Sequence, residues 1–312
     1  SGRAWMAVPQ LELAAAQAAQ VEDHHIELLS WQETQDPYRL LADAIGSARR
    51  PVVDNHMWAQ QAFFIQDALG ASVQPADSLL ADLRAIKTAD EIAAIHQAGQ
   101  AIDTVHNQMG QWLSPGRTER EVARDIADAI IQAGHNRVDF VIVASGPNGA
   151  SPHHDVSDRV IQAGEPVVVD IGGTMPNGYC SDSTRMYVCG EASVDFRERY
   201  DILKHAQASA VAHARVGVSC ESVDTVARDI LQQGGLGDFF IHRTGHGLGL
   251  ETHEDPYIVA GNTEVIKQGH AFSVEPGFYI PGLYGARIED IVTIDDEVAV
   301  SANHTTHDLV VL

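Results

Sequence analysis

Two acidic residues lie in a segment whose sequence predicts a β-hairpin, at residues 169–185. Its first arm is rich in valine and isoleucine, and a Met-Pro-Asn-Gly turn joins it to the second arm. With the turn centred on Pro176, Asp170 and Asp182 are expected to lie directly opposite each other, with their Cβ atoms about 4.5–5.5 Å apart. Two like charges at that separation repel each other, so the pair predicts a bound cation.

A second predicted hairpin carries two glutamates. It covers residues 273–290 and turns at the sequence Pro-Gly-Leu-Tyr-Gly. A turn centred on Gly282 would pair Glu275 with Glu289 in the same manner as the two aspartates. A single acid on a strand is usually solvated at a sheet edge. Four acids in two matching hairpins instead suit two divalent cations about 3.5–4 Å apart, with carboxylates between them.

His246 lies among alternating glycines, in the sequence Thr-Gly-His-Gly-Leu-Gly-Leu. Glycine permits close approach of the backbone and unusual dihedral angles. The segment lacks the HExxH pattern of a zinc peptidase helix, and no strand-to-helix boundary supports a nucleotide-binding loop. One imidazole added to the four carboxylates completes a ligand set for two metal ions.

Further histidines are candidates for the wall of the same cavity. His242 and His253 flank His246 in the sequence. A Gly- and Pro-rich loop before the first hairpin contains His153 and His154, one of which is a site candidate. That loop lacks the Lys-Ser/Thr ending of a phosphate-binding loop. The remaining histidines are expected in surface or core positions.

The elements around these residues recur in the same order. Two helices followed by a carboxylate-bearing hairpin occur twice, and the pentapeptide Val-Ala-Arg-Asp-Ile occurs in the second helix of each half, at 122–126 and 226–230. This order predicts a two-fold internal repeat. The predicted helices cover 88–108, 118–134, 194–215 and 221–233, and the predicted strands cover 138–144, 166–171, 179–189, 270–276 and 287–294.

The sequence of residues 1–84 predicts a separate small α/β unit that contains no catalytic or ligand-binding motif. Its predicted strands cover 3–8, 26–31 and 51–54, and its predicted helices cover 11–20, 37–48 and 58–69. A capping box, Thr-Ala-Asp-Glu at 88–91, opens the next long helix. The second domain is therefore predicted at 85–312.

The composition excludes several classes of function. The net charge is −23, with 43 acidic and 20 basic residues, and such a surface repels nucleic acids and anionic membranes. Three cysteines without a CxxC pattern argue against a disulfide framework and a thiolate zinc site. No apolar run has the length of a membrane span, and no signal-peptide pattern opens the chain. We therefore expect a cytoplasmic protein that binds neither nucleic acid nor membrane.

The segments 170–185, 245–254, 273–277 and 287–290 closely resemble the pita-bread metallopeptidases. This family includes Xaa-Pro dipeptidases (prolidases), aminopeptidase P, methionine aminopeptidase and the metal-free creatinase. The resemblance covers residues 85–312 and implies an α+β pita-bread fold with an internal pseudo-two-fold repeat. It also implies that residues 1–84 are a small creatinase-type α/β N-terminal domain, shorter than that of the family by a strand–helix–strand portion.

The resemblance assigns a role to each metal ligand. Asp170 would bind one divalent ion, and His246 with Glu275 would bind the other. Asp182 and Glu289 would bridge the two ions. Manganese is favoured, with cobalt, iron and zinc as alternatives, because all of these metals occupy oxygen-rich sites that contain one imidazole. The resemblance also implies a homodimer.

The resemblance further implies residues for catalysis and for substrate binding. Glu275, with Glu289 as the less favoured alternative, would be the general base, while His153 would orient the peptide and His253 would stabilise the oxyanion. His242 would line a prolyl pocket. Arg287 would bind substrate from a position just outside the metals.

The implied activity is hydrolysis of the Xaa-Pro bond of dipeptides or short peptides. The N-terminal unit, the Pro-His-His loop and the His-Glu-Asp-Pro sequence after His246 favour this activity over removal of methionine. A dipeptidase is slightly favoured over an aminopeptidase P. The alternatives are a non-catalytic binding protein with the same fold and an enzyme that acts on another small amide.

Overall fold

The computed structural model describes residues 2–46 and 50–312. The chain separates into two compact units, Ser1–Ala81 and Asp82–Leu312. The sequence predicts this division slightly later, between residues 84 and 85.

The first unit alternates short strands and helices. Its strands are β1 (Ala4–Pro9), β2 (Ile26–Trp31), β3 (Val52–Val53) and β4 (Gln74–Pro75), and its helices are α1 (Leu13–Ala18), α2 (Pro37–Ile45) and α3 (Ala59–Leu69). β1 pairs with β2, and β3 pairs with β4, both in parallel. Every strand and helix predicted in this region therefore has a counterpart.

Two helices of this unit end before a glycine with a positive φ, which glycine adopts without the steric cost of a Cβ atom. α3 ends before Gly70, at a φ of 62°, as the sequence predicts. α2 ends at Ile45 before Gly46, at a φ of 73°. The prediction extends this helix to residue 48, and residues 47 and 48 lie outside the described residues.

Three helices of the second unit begin at side-chain caps. After α4 (Asp77–Ala85) come α5 (Ala89–His106), α6 (Glu119–Gln132), α7 (Val194–His213) and α8 (Cys220–Gln233). Capping boxes at Thr88 and Thr118 begin α5 and α6, where each threonine accepts a hydrogen bond from the third helical residue and that residue's glutamate accepts one in return. Within the described residues, no helix combines the length and the apolar character needed to span a membrane.

The second unit contains two larger sheets and a separate hairpin. The first sheet has the order β15-β7-β6-β5, and the second has the order β14-β13-β10-β8-β9. The strands in chain order are β5 (Arg137–Ser145), β6 (Pro166–Thr174), β7 (Cys180–Val188), β8 (Gly245–Gly247), β9 (Glu254–Ile258), β10 (Ala271–Val274), β11 (Gly277–Ile280), β12 (Tyr284–Arg287), β13 (Asp290–Asp295), β14 (Val298–Ser301) and β15 (Val310–Val311). β11 and β12 form the hairpin. The order of two helices followed by antiparallel strands thus occurs twice in a mixed α/β unit.

The side chains of β6 alternate between two apolar cores. Val167, Val169 and Ile171 pack in the core that contains the buried faces of α5 and α6. Val168 packs in the opposite core, which contains the buried face of α7. Because side chains alternate along a strand, Asp170 lies on the α7 side of the sheet, away from α5 and α6.

The predicted register of the first hairpin is wrong by two residues. Asp170 pairs with Thr184, and Asp182 pairs with Gly172, so the two aspartates do not lie directly opposite each other. They still share one face of the sheet, because a shift of two residues preserves the side on which each side chain lies.

The cause of this difference is the turn. Thr174 pairs with Cys180, which centres the turn on Asn177 instead of Pro176. Moving the centre of an antiparallel turn by one residue moves every cross-strand partner by two. The sequence could not distinguish these two turns, because both place the same alternate residues on the core face.

The second hairpin is interrupted at its carboxylates. Its two ladders, β10–β13 and β11–β12, share the register that a turn centred on Gly282 predicts. Glu275 and Glu289 fall in the gap between the ladders. The Glu275 N–H donates to the Thr244 carbonyl at 2.8 Å, and the Glu289 N–H donates to the Thr184 carbonyl at 3.3 Å. The second bond links the two halves of the unit, because Thr184 lies on β7.

We predict that Gly99→Ala destabilises the protein, although replacing glycine by alanine inside a helix normally stabilises by up to about 1 kcal/mol. A Cβ atom on Gly99 in α5 would lie 2.4 Å from the carbonyl oxygen of Ala302. Relief of that overlap should cost about 1–3 kcal/mol, measured by urea denaturation. Gly110→Ala is the matched control, since its Cβ would meet only the Leu312 side chain at 3.4 Å. Equal midpoints for the two variants would contradict the prediction.

Candidate metal centre

The two aspartates project from neighbouring strands into a space that glycine helps to create. Asp170 lies on β6 and Asp182 on β7, and both are buried. The cross-strand partner of Asp182 is Gly172, where a Cβ atom would lie 2.5 Å from the Phe140 ring. Only a residue without a side chain therefore fits opposite Asp182.

His246 occupies the middle of β8, and its flanking glycines let two other segments approach closely. A Cβ atom on Gly245 would lie 1.8 Å from the Ser273 carbonyl oxygen, and one on Gly247 would lie 2.3 Å from the Asp255 carbonyl oxygen. The close backbone approach expected from the alternating glycines is therefore present. It brings His246 to the two glutamates of the second hairpin.

The five predicted ligands form overlapping groups. Ligand atoms lie within 4.8 Å of one another in three sets, which are Asp170, Asp182 and Glu289; His246, Glu275 and Glu289; and Asp182, His246 and His253. Asp182, His246 and Glu289 each belong to two of these sets. Two neighbouring cation positions that share carboxylates have this arrangement.

The electrostatics of the cluster favour a cation. Burial raises the pKa of Asp182 well above its ordinary value, and the charges of Glu289 and Asp170 raise it further. Burial also raises the pKa of Glu289, together with the charges of Glu275 and Asp170. Oδ1 of Asp170 is buried and has no hydrogen-bond partner among the described residues. The residues present therefore fit a bound divalent metal, which would supply the missing positive charge and the missing ligand partner.

His246 presents the nitrogen that a metal ligand requires. Its Nδ1 lies 3.1 Å from the Gly247 carbonyl oxygen, so the neutral ring carries its proton on Nδ1. Nε2 then faces carboxylate oxygens of Glu275 at 3.2 Å and of Asp182 at 3.8 Å. A lone pair facing carboxylates needs a proton or a metal ion between them.

The pKa of Glu275 differs from those of the other acids. Burial alone would raise it, but the close contact with the His246 ring and the positive charge of Arg287 lower the pKa to about 2. Glu275 is therefore ionised at neutral pH and can accept a proton.

Two hydroxyl groups orient the glutamates. The Thr184 hydroxyl donates to Glu289 at 2.8 Å, and the Ser273 hydroxyl donates to Glu275 at 3.2 Å. Sequence reasoning missed both residues. Each one stands two positions from a predicted ligand on a strand, and this spacing, which places it on the ligand's face, is the signal that could have found it.

A chain of hydrogen bonds runs from Asp170 to the predicted substrate residue His242. Arg287 donates to Asp170 and, at 2.7 Å, to the Tyr279 hydroxyl. The Tyr279 hydroxyl lies 2.9 Å from Nε2 of His242, and Nδ1 of His242 lies 2.7 Å from the Arg243 carbonyl oxygen. Because a carbonyl only accepts, His242 carries its proton on Nδ1 and accepts from Tyr279. No motif or spacing in the sequence distinguishes Tyr279 as a site residue.

All nine predicted site residues line one cavity of about 1030 Å³. They are His153, Asp170, Asp182, His242, His246, His253, Glu275, Arg287 and Glu289. His154 and Arg243 also line it. The structure therefore brings together every residue that the sequence selects.

Glu119 holds the loop that contains His153. Its carboxylate is fully buried at the start of α6 and accepts hydrogen bonds from Ser145, Asn148 and Ser157. Nε2 of His154 lies 2.9 Å from the same carboxylate. Within the histidine pair, His154 is therefore engaged by Glu119. The role of Glu119 was missed, because a glutamate in the first turn of a helix normally needs no explanation beyond the helix dipole.

The His253 ring lies beside the His246 ring, tilted by 32°, and contacts an arginine. The two ring centres are 3.8 Å apart, and Nδ1 of His253 lies 3.1 Å from Nη2 of Arg243. Since an arginine only donates, His253 accepts at Nδ1 and carries its proton on Nε2. Burial, together with the neighbouring His246 ring and the charge of Arg243, lowers the pKa of His253 to about 4. His253 is therefore a neutral hydrogen-bond donor at neutral pH.

The chain is similar to known proteins over its full length. Residues 93–296 match the model of metallopeptidase family M24. The probable dipeptidase PepE of Mycobacterium tuberculosis is 48% identical and covers 100% of this chain and 84% of its own length. The Xaa-Pro dipeptidase of Lactobacillus helveticus is 35% identical over 92% of this chain and 80% of its own. The crystal structure of dipeptidase PepE from Mycobacterium ulcerans has a TM-score of 0.93 at 48% identity, covering 100% of this chain and 84% of that one.

We predict that the metal-free protein loses stability as the pH rises and that Mn²⁺ restores it. Because the folded-state pKa values of Asp182 and Glu289 are raised, their contribution to stability is full at low pH and is lost as the pH rises through those values. Metal binding strengthens over the same range, since the ligands must lose their protons. The increase in melting temperature on adding Mn²⁺ should be larger at pH 8 than at pH 5. At a free Mn²⁺ concentration of 100 times the dissociation constant, each site should add about 2.7 kcal/mol to the free energy of unfolding.

The variant Asp182→Asn tests whether repulsion among the buried carboxylates causes this loss of stability. This variant should melt higher than the parent when metal-free at pH 8, because it removes one of the crowded charges, and it should lose most of the Mn²⁺ effect. Asp224→Asn is the control, since Asp224 is also buried but accepts hydrogen bonds from Arg228 and Thr244. It should destabilise the protein with or without metal and keep the Mn²⁺ effect. Destabilisation of the metal-free protein by Asp182→Asn at pH 8 would contradict this explanation.

Proposed function

The chain belongs to metallopeptidase family M24, and we propose that it is a dipeptidase that hydrolyses the bond before proline in Xaa-Pro dipeptides. The names of the two similar proteins, a probable dipeptidase and an Xaa-Pro dipeptidase, support this activity. The observation that carries the proposal is the sharing of Asp182 and Glu289 between neighbouring sets of ligand atoms, as two adjacent cations require. Retention of all five ligand positions disfavours a non-catalytic binding role.

The ligand set would hold two divalent ions. Asp170 would bind one of them and His246 with Glu275 the other, while Asp182 and Glu289 would be shared. When bound, such a pair of ions acts as a Lewis acid that polarises the scissile carbonyl and lowers the pKa of a water molecule. We propose manganese, with cobalt, iron or zinc as alternatives, because four carboxylates and one imidazole suit each of these metals.

Glu275 is the proposed general base. Its carboxylate is ionised at neutral pH and would take a proton from the attacking water molecule. The nitrogen of a prolyl peptide bond carries no proton, so it must gain one before it leaves as an amine. Glu275 would return the proton to that nitrogen.

The histidines would bind the peptide around the reacting bond. Nε2–H of His253 would donate to the oxyanion that forms at the scissile carbonyl, which is consistent with the neutral tautomer fixed by Arg243. His153 would orient the substrate from the loop that Glu119 holds. His242, supported by Tyr279, would line the site for the proline ring, and Arg287 would support substrate binding through its contacts with Asp170 and Tyr279.

Three further features belong to this proposal. The first unit, Ser1–Ala81, is proposed to be a creatinase-type N-terminal domain on the basis of its sequence and its α/β elements. The protein is proposed to be a cytoplasmic homodimer. Its three cysteines are free and buried, which is consistent with a reducing compartment.

The proposed activity predicts metal-dependent cleavage of Ala-Pro. Protein stripped of metal should be inactive toward this dipeptide, and added Mn²⁺ should restore release of free proline, measured by chromatography. Ala-Pro-Ala and Met-Ala-Ser should be cleaved much more slowly, because neither is an Xaa-Pro dipeptide.

The three peptides separate the alternatives. Cleavage of Ala-Pro-Ala before proline at a rate equal to that of Ala-Pro would indicate an aminopeptidase P. Cleavage of Met-Ala-Ser alone would refute the proline specificity and leave the metal centre standing. No cleavage of any peptide with Mn²⁺, Co²⁺, Fe²⁺ or Zn²⁺ would refute the proposed function.

A further inference from the structure

Lys87 is a buried lysine in the segment between α4 and α5. Its side chain is 1% exposed, and its Nζ lies 2.7 Å from Oε1 of Glu254, whose side chain is 8% exposed. Removing two charges from water is costly, so a buried ion pair often adds little to stability. Such a pair can instead select one geometry of the chain, because its partners are satisfied only where they meet.

Glu254 directly follows His253 in the chain. It opens β9, where it pairs with Gly247 of β8. His253 lines the cavity of the metal centre, whereas the side chain of Glu254 meets Lys87. The residue that contacts the buried lysine is therefore bonded to the residue that is proposed to stabilise the oxyanion.

Arg84 joins Lys87 in holding the loop of residues 248–253, which connects β8 to β9. Nη1 of Arg84 lies 2.7 Å from Oε1 of Glu251, and its Nη2 lies 2.8 Å from Oε2 of Glu254. Since Oε1 of Glu254 faces Lys87, each oxygen of this carboxylate contacts a cation. The loop therefore ends at a carboxylate that is anchored through both of its oxygens.

Glycine lets the backbone of the loop lie directly against the ion pair. A Cβ atom on Gly249 would lie 2.6 Å from Oε1 of Glu254 and 3.1 Å from Cε of Lys87. The Gly249 N–H also donates to the Glu251 carbonyl at 3.1 Å. The position of the ion pair and the path of the loop are therefore coupled.

The backbone of Lys87 is held by contacts outside this loop. Its N–H donates to the Gly269 carbonyl at 2.8 Å, and a Cβ atom on Gly269 would lie 2.8 Å from the Lys87 carbonyl oxygen. Lys87 also directly precedes Thr88, the N-cap of α5. The ammonium group therefore extends from a segment that is fixed independently of the loop.

We propose that Lys87 is a positioning residue, which acts through Glu254 to fix the loop so that the His253 ring lies beside the metal centre. This inference rests on the proposed function and adds the ion pair that holds His253 in place. Arg243 selects the tautomer of the His253 ring, whereas Lys87 fixes the backbone from which that ring extends. Displacement of a catalytic group by about 1 Å can reduce a rate about 100-fold, so the ion pair should affect turnover.

The test uses the double variant Lys87→Met/Glu254→Gln of the full-length chain loaded with Mn²⁺. It removes both charges of the pair, so neither partner is left buried and unpaired. With Ala-Pro, kcat should fall about 10- to 100-fold while KM changes little, because an oxyanion donor acts in the transition state. Glu254→Gln alone, which keeps the shape of the side chain, should show a smaller fall in kcat.

A double-mutant cycle shows whether the effect passes through His253. In a His253→Ala background, the same two substitutions should cause no further fall in kcat, because the ring that they displace is absent. An equal fall in both backgrounds would overturn the inference, since the pair would then act on the fold as a whole. A wild-type kcat in the double variant would also overturn it and leave the pair with a role in stability alone.

The matched control is Lys204→Met, which replaces a lysine on α7 that pairs with Asp308 at the surface. It should leave kcat and KM unchanged. A fall in kcat as large as that of the double variant would overturn the inference, because the effect would then not depend on the loop.

Hydrogen–deuterium exchange measures the anchoring of the loop without turnover. Amides of residues 248–254 should exchange faster in the double variant than in the wild type, and those of β6 (Pro166–Thr174) should not change. Equal exchange in the loop would overturn the inference even if Ala-Pro were not hydrolysed. Failure of the wild type to hydrolyse Ala-Pro, together with faster exchange in the loop of the variant, would refute only the proposed function.

Discussion

Mutual repulsion among four carboxylates is the constraint on which the second unit depends. Asp170, Asp182 and Glu289 are buried, and desolvation adds to the cost of their charges. A protein can hold such a cluster only if its scaffold is rigid and bound protons or cations compensate the charge. Arg287 supplies one fixed positive charge, and the hydroxyl of Thr184 donates to Glu289. The remaining charge is what the bound metals would balance.

The two halves of the unit are joined at this cluster. Glu289, from the second half, bonds through its backbone and its side chain to Thr184 of the first half. Arg185 strengthens this junction, because one of its nitrogens donates to the carbonyl oxygens of both Thr184 and Glu289. The repeated order of helices and strands therefore places one pair of carboxylates on each side of the contact between the two halves. The cavity opens at this contact.

The residues proposed as metal ligands could be selected from the sequence because acids in apolar strand segments have few structural explanations. The register of Asp170 and Asp182 could not, since turns centred on Pro176 or Asn177 give the same alternation of core and surface. Glu119 and Lys87 were missed for a different reason. Their roles depend on contacts between distant segments, and neither residue has a spacing that distinguishes it from an ordinary surface charge.

The separation of Thr184 and Glu289 by 105 positions has a kinetic consequence. Contacts between such distant segments form late in folding, because the chain between them must first lose its conformational freedom. The complete ligand set would then exist only after both halves have folded and joined. Metal bound to that set would slow unfolding of the native protein far more than it would accelerate folding. Interactions that are absent from the transition state act mainly on the unfolding rate.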